Sequence, residues 1–161
     1  MEQFIKLNAT SKSRLLLSGF AKNSYTIWKK KNAFDIAIVP GGLLVDDPIL
    51  ELVKKFKGVP IIFRMQPWQF YRFHTDEDRS CAINLFLEGV DSETYYGVDT
   101  ADEETLNITE LRYEIDRYYL LNTKQKHCVV NRDNVRYMFS VGFPDTVSYE
   151  TVRDFCLENK L

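Results

Sequence analysis

Residues 34–65, FDIAIVPGGLLVDDPILELVKKFKGVPIIFRM, carry the most definite local signals in the chain. Phe34-Asp35-Ile36-Ala37-Ile38-Val39 is short and almost continuously apolar, as a strand covered on both faces is, and Pro40-Gly41-Gly42 ends it. The next helix is marked at both ends. Asp47 suits the cap, Pro48 suits the first turn, and Gly58 with Pro60 marks the stop. Ile49, Val53 and Phe56 recur between them at helical spacing, and Val59–Met65 is a second apolar run. Strand, loop, helix, glycine turn and strand predict a βαβ unit with parallel strands and a right-handed crossover.

Working outward, Phe4–Asn8 reads as a strand. Lys12–Lys30 reads as a helix with Leu17, Phe20, Ala21, Tyr25 and Trp28 on one side; two strands, Arg14–Ala21 and Tyr25–Lys29, are the alternative. Cys81–Glu88 alternates, with Ile83, Leu85 and Leu87 on one face of a strand. Asn107 followed by Glu110 resembles a capping box, opening a helix through Leu111, Ile115, Tyr118 and Tyr119 to about Asn122. His127–Asn131 and Val135–Val141 flank the polar turn Asn131-Arg132-Asp133-Asn134 and read as an antiparallel hairpin. Ser148 caps a closing helix with Val152, Phe155 and Cys156 inward. The expected fold class is therefore α/β or α+β, a mixed sheet with one parallel βαβ unit (34–65) and a C-terminal antiparallel hairpin plus helix. With no repeat, low-complexity tract or linker in the sequence, residues 1–161 are expected to form a single domain.

Composition narrows the class. The 161 residues are 45% hydrophobic and 27% charged, with 14% aromatics, 7 Gly, 5 Pro and 3 Cys, which excludes disorder, a collagen-like repeat and a disulfide scaffold. No apolar run reaches the roughly 18 residues of a membrane helix, and the opening MEQFIKLNATSK lacks the pattern of a signal peptide. Cys81, Cys128 and Cys156 are odd in number and far apart, which favours a reducing, cytoplasmic setting.

The net charge of −2 hides a separation along the chain. Residues 76–116 hold thirteen acids and two bases, whereas the first 33 residues hold seven bases against Glu2 alone. Tyr95, Tyr96, Asp99, Asp102, Glu103 and Glu104 fall together in the acidic stretch. Acids gathered on one exposed face would steer a basic partner, with tyrosines supplying contact area, and would repel nucleic acid. The expected partner is then a basic protein surface, such as that of a nucleic-acid-binding protein, with no membrane and no direct nucleic-acid contact. The same acids, set against the basic opening segment, could instead be cancelled within the fold.

Other constellations are sparse. In a parallel sheet, ligands sit where strands end, which nominates Gly41 and Gly42, with Arg64 and Gln66 emerging nearby, for a nucleotide-like or other anionic ligand. Residues 34–63 resemble the segment of class I glutamine-amidotransferase-like proteins in which a strand ends in Pro-Gly-Gly ahead of a helix and a second strand. That resemblance implies an elbow bearing a cysteine nucleophile after the second strand. Phe63-Arg64-Met65-Gln66-Pro67 offers neither cysteine nor small residues there, so the chemistry is not carried over. The carboxylates around Asp99–Glu104 could serve a hard cation but read as a solvated loop. His127 and Cys128 are adjacent on a strand and point to opposite faces, so they do not form a dyad. His74, in YRFHTD, could act as a general base paired with a carboxylate, and otherwise reads as a surface or satisfied histidine.

With no complete catalytic cluster, no Cys/His zinc pattern and no cofactor motif, the expectation is a small binding or inhibitor protein rather than an enzyme. Its Lys-, Asn-, Phe- and Tyr-rich composition suits a virus or mobile element. The alternative is a small α/β enzyme or sensor with an anion at Gly41-Gly42.

Overall fold

The computed structural model describes residues 2–89, 92–100 and 105–161. In chain order these form β1 (Phe4–Thr10), α1 (Arg14–Lys22), β2 (Lys29–Lys31), β3 (Phe34–Ile38), α2 (Asp47–Phe56), β4 (Val59–Met65), β5 (Phe70–His74), β6 (Arg79–Glu88), β7 (Ser92–Asp99), β8 (Leu106–Leu111), β9 (Arg117–Asn122), β10 (Lys126–Asn131), β11 (Arg136–Pro144) and α3 (Tyr149–Glu158). A seven-stranded sheet runs β1-β9-β6-β11-β4-β3-β2, and a four-stranded sheet runs β5-β10-β7-β8. Every pairing among the described residues is antiparallel. The result is a jelly-roll arrangement of two sheets, with helices on the outer face of the larger one.

The parallel βαβ unit is thus overturned. β3 and β4 are antiparallel neighbours, with Asp35 opposite Arg64 and Ile38 opposite Ile61. The helix between them is an insertion in a hairpin connection. An unbroken apolar run reports only that both faces of a strand are covered, which helices on one side and a second sheet on the other achieve equally well.

The predicted helix over 107–122 is also absent: the segment supplies β8 and β9. Tyr118, Tyr119, Leu120 and Leu121 are all buried, because β9 is sandwiched between the two layers. Four consecutive apolar residues carry no period, and the aromatic and β-branched content of the stretch favours strands over a coincidental Asn-x-x-Glu spacing. The expected C-terminal hairpin exists as strands but not as a pair, since β10 joins β5 and β7 while β11 joins β4 and β6. Asn131 pins the corner between the sheets, its Nδ2 donating to the carbonyls of Met65, Gln66 and Asn134 at 3.1, 2.8 and 2.8 Å.

Other local readings agree with the structure. Ser148 accepts a hydrogen bond from Thr151 N–H at 3.1 Å and opens α3. Helix α2 starts one residue earlier than the capping pattern implies, with Asp46 at the cap position. The Asp46 carboxylate is turned away from its own helix and accepts from Lys12 N–H (2.7 Å), Ser13 N–H (3.1 Å), Tyr118 Oη (2.8 Å) and the hydroxyls of Ser11 and Ser13. Helix α1 covers only part of Lys12–Lys30; Leu17 and Ala21 are buried on it, whereas Tyr25 lies beyond it and is exposed.

The larger sheet divides its side chains between two layers by the period of two. Phe139, Val141 and Phe143 of β11 pack with Ile83, Leu85, Ile49, Leu52, Val152 and Cys156 under the helices. Burial of each large apolar side chain there contributes about 2 kcal/mol. A smaller cluster of Tyr96, Leu111, Tyr119 and Leu121 joins the two sheets. Gly89 has φ +119°, and a Cβ on it would lie 2.8 Å from Arg136 Cα, so the β6–β7 connection passes β11 at a distance only glycine permits.

Candidate metal centre

The site lies on the smaller sheet. β5 and β10 pair with His74 opposite His127 and Tyr71 opposite Val129, so three residues on β5 span two on β10. That bulge puts Tyr71 and His74 on one face, where strict alternation would separate them, and their rings meet at a tilt of 51° with centroids 4.0 Å apart. The His74 and His127 centroids are 4.2 Å apart. Asp76 follows β5 by two residues. Its N–H donates to Thr123 O at 2.9 Å, and Lys124 Nζ donates to its carbonyl at 2.8 Å. One ligand-type atom from each of His74, Asp76 and His127 lies within 4.8 Å of the others.

The two rings are oriented alike. His74 Nδ1 is 2.8 Å from Arg72 O, and His127 Nδ1 is 2.9 Å from Gln125 O. A carbonyl can only accept, so Nδ1 is the donor in both rings and each Nε2 is left directed at the site. Burial pushes His127 down to about 4, with the nearby His74 and Arg79 acting in the same direction against the Gln125 hydrogen bond and Asp76. It is therefore neutral, the form that binds metals. Burial works against the charge of Asp76, but the neighbouring His74 ring and the Arg79 guanidinium hold its carboxyl well below the usual range. Asp76 Oδ1 stands 3.5 Å from His74 Nε2, longer than a good hydrogen bond and suited to two ligands of one cation. Two imidazole nitrogens and one carboxylate oxygen are a donor set for a divalent transition metal that leaves positions free for other ligands.

A polar interior adjoins the cluster. His127 pairs with Tyr96 on β7, and Thr94 lies two residues further along the same face, about 7 Å away. Thr94 Oγ1 accepts from Arg136 Nη2 at 3.0 Å. The Nε and Nη1 groups of Arg136, 5% exposed, have no protein partner. Burial pushes its guanidinium down, and Tyr113, whose ring centroid is 5.9 Å from Cζ, opposes that shift. Tyr96 Oη, Asn84 Oδ1 and Ser140 Oγ are also buried without partners, and Ser140 and Asn84 are cross-strand neighbours. A buried guanidinium with two unpartnered nitrogens is costly.

The residues nominated from sequence fall elsewhere. Gly41 and Gly42 follow the end of β3, while Arg64 lies beside the strand's beginning, bound to Asp35 at 2.9 Å. Gln66 is engaged in the β4–β5 turn through Gln69 Oε1 and Asn131. Antiparallel pairing thus places the glycines and Arg64 at opposite ends of the strand pair, and the anion crevice is not formed. Tyr96 is buried and turned inward, so it cannot belong to a docking surface. Tyr95 is half-buried on the opposite face, and Asp99 is exposed and bound to Lys126 at 2.6 Å. Asp102, Glu103 and Glu104 lie outside the described residues.

The acidic docking surface is not supported among the described residues, where acids of the stretch are held in ion pairs: Asp76 with Arg79, Asp78 with Lys31, Glu88 with Lys22, Glu93 with Arg132, Glu110 with Arg112, Glu114 with Lys6 and Asp116 with Arg14. Many of these partners come from the basic opening segment. The inhibitor reading and the expectation of a non-enzyme are contradicted by the likeness in fold to hydroxylases given below, and His74, Asp76 and His127, dispersed in the sequence, converge in space. His74 was visible as a base beside a carboxylate. Asp76 and Arg136 were missed, and His127 was weighed only against Cys128. The His-x-Asp spacing was the available signal.

No protein-family model matches the sequence, and no curated protein matches it. Among solved structures, the fold is similar to a prolyl hydroxylase from Trichoplax adhaerens in complex with a hypoxia inducible factor oxygen degradation domain peptide fragment (TM-score 0.65, 12% identity, 95% of this chain and 86% of that one). It is also similar to HygX from Streptomyces hygroscopicus with nickel and 2-oxoglutarate bound (0.63, 11%, 91% and 85%), and to a prolyl-4-hydroxylase from Pseudomonas putida (0.61, 12%, 89% and 93%). The chain shares the jelly-roll fold of these structures.

Proposed function

We propose that the chain is a metal-dependent oxygenase in which His74, Asp76 and His127 hold a divalent iron and Arg136 anchors the distal carboxylate of 2-oxoglutarate or a similar 2-oxo acid. The observation that carries this reading is the convergence of two imidazole Nε2 atoms and one carboxylate, together with the buried Arg136 guanidinium, whose Nε and Nη1 have no protein partner. The residues fit the groups they would hold. A neutral His127, rings fixed through Nδ1 and an ionised carboxylate are ready donors, and Arg136 has N–H groups that can donate to a carboxylate. Bound there, iron supplies the one-electron chemistry with dioxygen that no side chain offers.

The chain's own residues do the rest. Arg72 and Gln125 carbonyls orient the rings, and Arg136 would orient the 2-oxo acid. Three free thiols, all buried, suit a reducing, cytoplasmic setting. The likeness in fold to a 2-oxoglutarate-bound oxygenase supports the same reading.

Calorimetric titration of 2-oxoglutarate into nickel-loaded protein tests it. Binding is expected only with metal present, and Arg136→Met is expected to weaken it at least 100-fold while leaving nickel affinity unchanged. Equal binding of 2-oxoglutarate by the two proteins would sink the assignment of Arg136.

A further inference from the structure

Arg79 is tied into the site from several directions. Its Nε donates to Asp76 Oδ2 at 2.5 Å, leaving Oδ1 as the oxygen that faces His74 Nε2. The guanidinium rests over the Phe63 ring, with Cζ 5.6 Å from the centroid. Its stem crosses Gly142 of β11: a Cβ there would stand 3.1 Å from Arg79 Cδ and 3.6 Å from Nη1. The arginine's backbone is fixed as well, because Thr123 Oγ1 donates to Arg79 O at 2.9 Å while Thr123 O receives the Asp76 N–H. The β9–β10 turn therefore holds both residues in one frame.

A carboxylate with two free oxygens can chelate a cation through both and fill a position needed by another ligand. A carboxylate with one oxygen held in a charge-assisted hydrogen bond offers only the other. We propose that Arg79 is a positioning residue of this site, which makes Asp76 a one-oxygen ligand and keeps the remaining coordination positions free; this rests on the oxygenase reading above. Gly142 is part of the device, since a side chain at that position would displace the arginine.

The test uses cobalt(II) as the probe, titrated into the full chain and followed by calorimetry and by visible absorption, whose band positions and intensities report coordination number. Arg79→Gln is expected to lower cobalt affinity 10- to 100-fold and to change the spectrum toward a higher coordination number as Asp76 binds through both oxygens. Gly142→Ala, which shifts Arg79 without removing it, is expected to change the spectrum in the same direction by a smaller amount, and it decides the matter if Arg79→Gln does not fold. Folded variants with wild-type affinity and spectrum overturn the positioning role and leave the metal site standing. A wild-type chain that takes up no cobalt, or a His127→Ala variant that takes up as much, overturns the oxygenase reading itself.

Discussion

His74 and His127 lie directly opposite one another on neighbouring antiparallel strands, with ring centroids 4.2 Å apart. Their juxtaposition depends on the corner at Asn131, which sends β11 into the other sheet while β10 stays beside β5.

Asn131 is accordingly expected to be costly to replace. Its buried Nδ2 serves three carbonyls from two different connections. Asn131→Ala should destabilise the chain by about 2–4 kcal/mol, measured as a lower urea midpoint at unchanged slope.

Asp46 joins the starts of α1 and α2 to Tyr118 of β9, and its pKa is lowered because those hydrogen bonds outweigh the burial that would raise it. Asp46→Ala leaves several donors without an acceptor and should cost about 3 kcal/mol or more. Thermal unfolding monitored by circular dichroism checks this. A loss below about 1 kcal/mol would show that α1 docks without the carboxylate.

Arg136 should display a conflict between stability and function. Removing a buried charge whose Nε and Nη1 are unpartnered relieves a desolvation cost, so Arg136→Met is expected to raise the stability of the ligand-free chain by about 1–3 kcal/mol. Denaturant unfolding of both proteins without ligand is the measurement. A marked loss of stability would mean that the guanidinium is a structural element.

His127 should impose a pH dependence on the metal-free chain. Burial depresses its folded pKa from 6.5 to about 4, so the unfolded chain binds the proton more readily between those values. Stability falls as the pH drops from about 6.5 toward 4, by up to about 3 kcal/mol for this group. His127→Gln should flatten that part of the profile. A profile unchanged by the substitution would assign the dependence to other groups.

How far the sequence could be read depends on the range of each interaction. Local signals at Ser148, at the Asp46-Asp47-Pro48 helix start and in the alternating strand Cys81–Glu88 act within a few residues, and the structure has those elements. The sense of pairing of β3 with β4, the strand identity of 106–122 and the separation of β10 from β11 are decided by tertiary packing, to which local periodicity is blind. The same holds at the site. His74 has a visible neighbour in Asp76, but its other partner, His127, is far along the chain, and a bulge at Arg72-Phe73 changes which face His74 occupies. Arg136 begins a mostly apolar strand and looks like a boundary charge, although β6 and β7 enclose it.

The most direct test of the metal centre is anomalous diffraction from crystals of the full chain grown with nickel. The account requires one anomalous peak bonded at about 2.0–2.2 Å to His74 Nε2, His127 Nε2 and a single oxygen of Asp76. Saturating nickel with no peak among these three side chains would contradict it.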